Sequence, residues 1–175
     1  MNPLLSLVAR FLARPAVTDW LIRRAKRTPY THIVSPENGK LYMERYWLFN
    51  PYAPESSGDG NWFPISIRLH HIVRPDQDRH LHDHPWNART VILAGGYTEV
   101  RPINPTSEYP YDTEYHHRSA GYTGRLRFGE YHRIIDVEPG TWTLFITGRK
   151  RGTWGFMVDG HKVPWRQYLG LDKAA

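Results

Sequence analysis

Leu4, Leu7, Val8, Phe11 and Leu12 recur at the spacing of one helical face. Pro15 interrupts that pattern, and Val17, Trp20 and Leu21 resume it until Thr28-Pro29 ends it. The spacing predicts two short amphipathic helices in an N-terminal segment, residues 1–30. From Gly39 the texture becomes β: short runs rich in Tyr, Ile, Val, Trp and Thr, separated by Gly, Pro, Asn and Asp. Predicted strands are Leu41–Leu48, Pro64–Val73, Arg89–Val100, Glu114–Ser119, Gly121–Phe128, Tyr131–Val137, Thr141–Thr147, Gly152–Val158 and Val163–Tyr168. The clearest loops are Pro51–Asn61 and Pro102–Tyr111. So many brief strands imply a mainly β closed barrel or double-sheet jelly roll, read as a single domain over residues 31–175.

Composition narrows the classes. With 175 residues, of which 40% are hydrophobic and 14% aromatic, one substantial core can be filled, and disorder is excluded. There is no cysteine, which removes disulfides, zinc fingers, iron–sulfur clusters and thiol nucleophiles, and fits a cytoplasmic location. No apolar run reaches the roughly 18–20 residues that span a bilayer, and the start lacks a signal-peptide cleavage pattern.

The net charge of +6 raises the question of nucleic acid. Residues 1–30 carry Arg10, Arg14, Arg23, Arg24, Lys26 and Arg27 against Asp19 alone, a net +5, so the rest is nearly neutral. A phosphate-tracking groove across the domain is therefore not supported, and only the basic N-terminus keeps nucleic acid open. The apolar faces around Leu4–Leu12 and Trp20–Leu21 need covering. Packing on the body or a second subunit is the leading expectation, and an anionic membrane surface is the sharper one.

Chemistry concentrates in Arg79-His80-Leu81-His82-Asp83-His84-Pro85-Trp86. In an extended strand, residues two apart point the same way with Cα atoms about 6.6 Å apart, so two neighbouring imidazoles can converge on one ion. His80 and His84 would lie roughly 13 Å apart, too far to share it. Two of the three can ligate one metal, and the third has another task.

This run resembles the first motif of the cupin superfamily: His-x-His, three or four residues, Glu, six residues, Gly. His82-x-His84, Pro85–Ala88, a slot at Arg89 and Gly96 fit that frame. The resemblance implies a cupin-type β-barrel with His82 and His84 as metal ligands, leaves His80 as a neighbour or substrate contact, and puts Arg89 where a Glu ligand usually stands. The second motif, Pro-x-Gly-x-x-His, then three residues and Asn, is similar to Arg127-Phe128-Gly129-Glu130-Tyr131-His132 with Asp136, and implies His132 as third ligand. Pro139-Gly140-Thr141-Trp142-Thr143 is a decoy with Thr in the ligand position. Tyr42–Trp47, Trp142–Phe145 and Trp154–Phe156 also look similar to small bacterial and phage cupins that have no activity to carry across.

Imidazole suits Fe, Zn, Ni or Cu, so ligand type leaves a divalent metal unnamed. The three-histidine, no-glutamate pattern is similar to the cupin dioxygenases that use Fe(II), which makes Fe(II) the leading expectation, with Zn, Ni or Mn as alternatives. The corresponding function is a non-haem Fe(II) oxygenase on a small-molecule substrate. Glu99 is a candidate base or ligand, and Arg68 is a candidate clamp for a carboxylate or phosphate. Arg68 and His70 share one strand face, and His71 takes the other. The +3 loop Gly148–Gly152 reads as a solvated hairpin tip. A metal-free isomerase or epimerase using His80, His132 and Tyr131 also stands, as does a non-catalytic binding cupin. Cupins often pair, so a homodimer is expected. No P-loop, dinucleotide fingerprint, His-Glu-x-x-His or Gly-x-Ser-x-Gly occurs.

Overall fold

The computed structural model describes residues 2–35, 39–51, 63–76, 80–103 and 112–171. Most of the predicted loops Pro51–Asn61 and Pro102–Tyr111 lies outside the described residues, as does Arg79. Helix α1, Pro3–Leu12, opens where the Asn2 side chain accepts from the Leu4 N–H at 3.0 Å and Pro3 takes the first turn. Helix α2, Pro15–Ala25, likewise begins on its proline. Thr18 ties it down, its hydroxyl lying 3.0 Å from the Leu12 carbonyl and 3.3 Å from that of Leu93.

The strands are β1 Pro29–Val34, β2 Leu41–Phe49, β3 Ser66–Ile72, β4 Trp86–Ala94, β5 Gly96–Pro102, β6 Thr113–Ser119, β7 Thr123–Leu126, β8 Arg133–Ile135, β9 Thr141–Lys150, β10 Gly155–Val158 and β11 His161–Pro164. A short helix α3, Trp165–Tyr168, follows. One sheet runs β1-β2-β3-β9-β4-β7, a second β6-β5-β8, and β10 pairs with β11, all antiparallel. His82 links the two smaller sheets by single bridges to His132 and Phe156. The result is two β layers, the mainly β jelly-roll class that the strand pattern predicts.

The two faces of the six-stranded sheet have different partners. Leu69, Val91, Leu93 and Leu144 point outward and pack with Ala9, Leu21 and Ala25 of the helices. The alanines are fully buried, and their small side chains let both helices lie close to the sheet. Met43, Ile72 and Ile92 point inward against Tyr97 and Ile134 of the smaller sheet. Arg68 and His70 alternate with Leu69 and so also face the interior.

Three predicted boundaries are corrected. Residues 29–34 form β1 where Thr28-Pro29 reads only as a stop. Pro29 stands at the first residue of the strand, where its missing N–H is tolerated. Val163–Tyr168 divides into β11 and α3. The run Arg89–Val100 is two strands in different sheets, broken at Gly95, whose φ of +64° only glycine adopts easily. A Cβ there would meet Thr141 Oγ1 at 2.5 Å and Thr141 Cα at 2.9 Å. Gly95→Ala is therefore expected to cost about 3 kcal/mol from strain and overpacking, read as a lower urea midpoint.

Candidate metal centre

The segment around His82 is short, extended and anchored on both sides. The His82 N–H donates to the His132 carbonyl at 2.9 Å, and the His132 N–H returns the bond to the His82 carbonyl at 2.9 Å. The Asp83 N–H donates to the Gly155 carbonyl at 3.1 Å. Alternation then turns the fully buried Asp83 away from His82 and His84. Its carboxylate accepts from the Gly155 N–H at 2.8 Å and from Lys162 Nζ. Asp83 thus fixes the strand whose other face carries the two histidines.

His82, His84 and His132 each offer one ring nitrogen, and the three atoms lie within 4.8 Å of one another. Facial ligands about 2.1 Å from an ion sit roughly 3–3.5 Å apart, so small ring rotations close the set. His84 Nε2 is already 3.0 Å from His132 Nε2. On the far side of its ring, His132 Nδ1 lies 3.1 Å from Glu99 Oε1. The carboxylate can only accept, so Nδ1 carries the proton and Nε2 turns its lone pair to the cluster.

Glu99 is buried, and also accepts from Arg101 at 2.9 Å and Arg118 at 3.1 Å. Burial works against its ionisation, but His132 and Arg101 more than offset this and hold the carboxyl well below its ordinary range. Glu99 therefore stands behind His132 as a buried anion. Asp76, held by the Ile134 N–H at 2.7 Å and by the Tyr42 hydroxyl, lies 4.0 Å from His82 Nδ1.

Burial depresses two of the imidazoles. His82 is pushed down to about 4, mainly by loss of solvent, against the pull of Asp76. His84 is driven well below its ordinary value by burial, with His132, His82, Arg68 and His70 adding repulsion. Neutral rings are the form a metal requires. The walls are aromatic: Phe145 lies 5.6 Å and Trp86 6.5 Å from His84, and Phe156 lies 6.0 Å and Trp154 6.3 Å from His82, ring centre to ring centre.

Other predicted residues separate clearly. His80 turns to α3, its Nδ1 2.9 Å from the Tyr168 hydroxyl, and does not join the cluster. Tyr131 is half-buried and adjacent to His132 in the chain. Arg89 lies 3.1 Å from the Thr123 hydroxyl, and among the described residues no carboxylate joins the three-histidine cluster. Arg68 is buried with its guanidinium 4.9 Å from the Trp86 ring and 5.3 Å from Trp47. His70, beside it on β3, is buried, and its Nε2 has no hydrogen-bond partner among the described residues. His71 faces the other way, 2.8 Å from Glu44 and stacked on Trp142. Asp76 was not predicted; only its place next to the strand entering the cluster could have marked it.

The two antiparallel layers, with the three histidines brought together, give the chain a cupin-type fold. Oxalate decarboxylase from Bacillus subtilis superposes at a TM-score of 0.50 with 11% identity, covering 85% of this chain and 33% of that one. A Klebsiella pneumoniae protein with a double-stranded β-helix domain matches at 0.43 and 15% identity, over 70% of this chain and 89% of its own. KdgF from Halomonas sp. matches at 0.43 and 13%, over 68% and 86%. The chain thus spans about a third of the length of oxalate decarboxylase. No protein-family profile and no curated protein matches its sequence.

Proposed function

We propose that the protein binds one divalent metal, Fe(II) foremost, through His82, His84 and His132, and acts as an oxygenase on a small anionic molecule. The observation that carries this reading is the set of three imidazoles whose ring nitrogens lie within 4.8 Å of one another, with no carboxylate among the three ligand atoms. Three neutral ligands leave the ion its full charge and up to three open positions, where Fe(II) would supply dioxygen chemistry. Glu99 orients His132, as the supporting carboxylate of a ligating histidine does. Arg68, facing the same interior, supplies a fixed cation for a substrate carboxylate, and the aromatic walls exclude water. The metal-free isomerase reading loses support because His80 pairs with Tyr168 and not with the cluster.

The test begins with elemental analysis of protein purified without a His-tag. Anaerobic Fe(II) loading and oxygen uptake across a panel of small carboxylates follow. One metal per chain and substrate-dependent uptake are expected. Arg68→Met should raise KM roughly 10- to 100-fold, the worth of a charge-assisted contact, with metal content unchanged. A metal-free active protein would restore the isomerase reading, and a loaded protein that never consumes oxygen would leave a binding cupin.

A further inference from the structure

Helix α1 keeps only part of its apolar surface against the body. Ala9 is buried, whereas Leu4, Leu7, Val8 and Phe11 are 66%, 63%, 45% and 52% exposed. Those four positions fall on one stripe of the helix. On α2, Trp20 is 58% exposed, with Arg23 and Arg24 exposed one turn further on. The Arg14 guanidinium lies 5.5 Å over the Phe11 ring. No described helix is long and apolar enough to cross a membrane.

We propose that this face of α1 and α2 lies on an anionic lipid surface and holds the barrel at the membrane without crossing it. Five large apolar side chains exposed between residues 4 and 20 exceed the scattering that a soluble surface normally shows. Charge selects the occupant. Residues 1–30 carry a net +5 with Asp19 as their only acid, so two copies docking face to face would set like charge against like. A layer of phosphate headgroups instead neutralises the arginines while the acyl boundary takes up Leu4, Leu7 and Phe11. Trp20 beside Arg23 and Arg24 has the amphipathic composition of a membrane-interface anchor. The helices cover the sheet face opposite to the one bearing Arg68 and His70, so seating on lipid leaves that interior face free.

The full chain should co-sediment with vesicles of phosphatidylcholine containing about one-third phosphatidylglycerol, and not with phosphatidylcholine alone. Binding should fall steeply between about 0.1 M and about 0.5 M salt. Replacing Arg23, Arg24 and Arg27 together by Gln should weaken it on the order of a hundredfold. The double variant Leu7→Ser/Phe11→Ser, at exposed positions that leave the core intact, should abolish it while circular dichroism stays unchanged. Equal binding to neutral and anionic vesicles, no binding to either, or unaltered binding by the serine variant would overturn the proposal. So would a dimer in sedimentation equilibrium that the serine variant dissolves, since a second copy would then own the face.

Discussion

Replacing His82, His84 or His132 singly by Ala is expected to empty the metal site, while His80→Ala leaves its content unchanged. The strength of a metal centre is shared among its ligands at about 3 kcal/mol each, so losing one of three lowers affinity more than a hundredfold. His80 contributes nothing to that sum because its ring is engaged with Tyr168 on the far side of Phe156, whose ring stacks on Tyr168 at 3.9 Å. Glu99→Gln should have an intermediate effect, about 10- to 100-fold. An amide at that position can present its own N–H to His132 Nδ1, which removes the force that keeps the Nε2 lone pair aimed at the cluster. Dialysis against graded zinc or iron with metal analysis of each variant checks the series. A site emptied by His80→Ala and left full by His84→Ala would mean that the neighbouring pair, His80 and His82, holds the ion.

The outline of the β architecture was legible because alternation and turn residues are local signals. Leu41–Phe49, Ser66–Ile72 and Thr141–Lys150 read nearly as they form. The break at Gly95 was not, because it depends on Thr141, some 45 positions away in the chain, occupying the space a side chain would need. The histidine cluster lies halfway between these cases. Strand geometry limits the local run to two ligands, but only His132 returning both backbone bonds to His82 brings the third ring across. Glu99 shares the inward face of β5 with Tyr97 and is buried there against His132. Its environment is made by Arg101 on its own strand and by Arg118 and His132, which reach it only once distant parts of the chain come together. The N-terminal helices show the same division: their amphipathy is visible, but which apolar side chains the body leaves uncovered is a property of the packed sheet.

Freed of metal, the protein is expected to lose stability steeply as pH falls from about 6.5 towards 4. In the unfolded chain each histidine titrates near its ordinary value of about 6.5. In the folded chain burial pushes His82 down to about 4, and His70 and His84 well below their ordinary value. Between those limits the unfolded state binds protons that the folded state refuses, so stability is whole above the unfolded value and declines as pH drops. His82 alone should cost about 2 kcal/mol by pH 5, and His70 and His84, lowered by the same burial, add to the loss in the same direction. Glu99 adds nothing to this window, since its carboxyl is lowered and its contribution fades only below the ordinary carboxylate range. Urea midpoints of chelator-treated protein at pH 7.5, 6 and 5 measure the slope. His70→Phe removes one refused proton without touching the cluster, so its slope should be shallower by about a third. Saturating metal should raise the whole curve without flattening it, because His82 and His84 are already neutral in the folded chain across this window and the unfolded chain still takes up its protons. A stability unchanged between pH 7.5 and 5 would mean that water reaches these rings and that the interior is not the dry, aromatic-walled chamber on which the proposed chemistry depends.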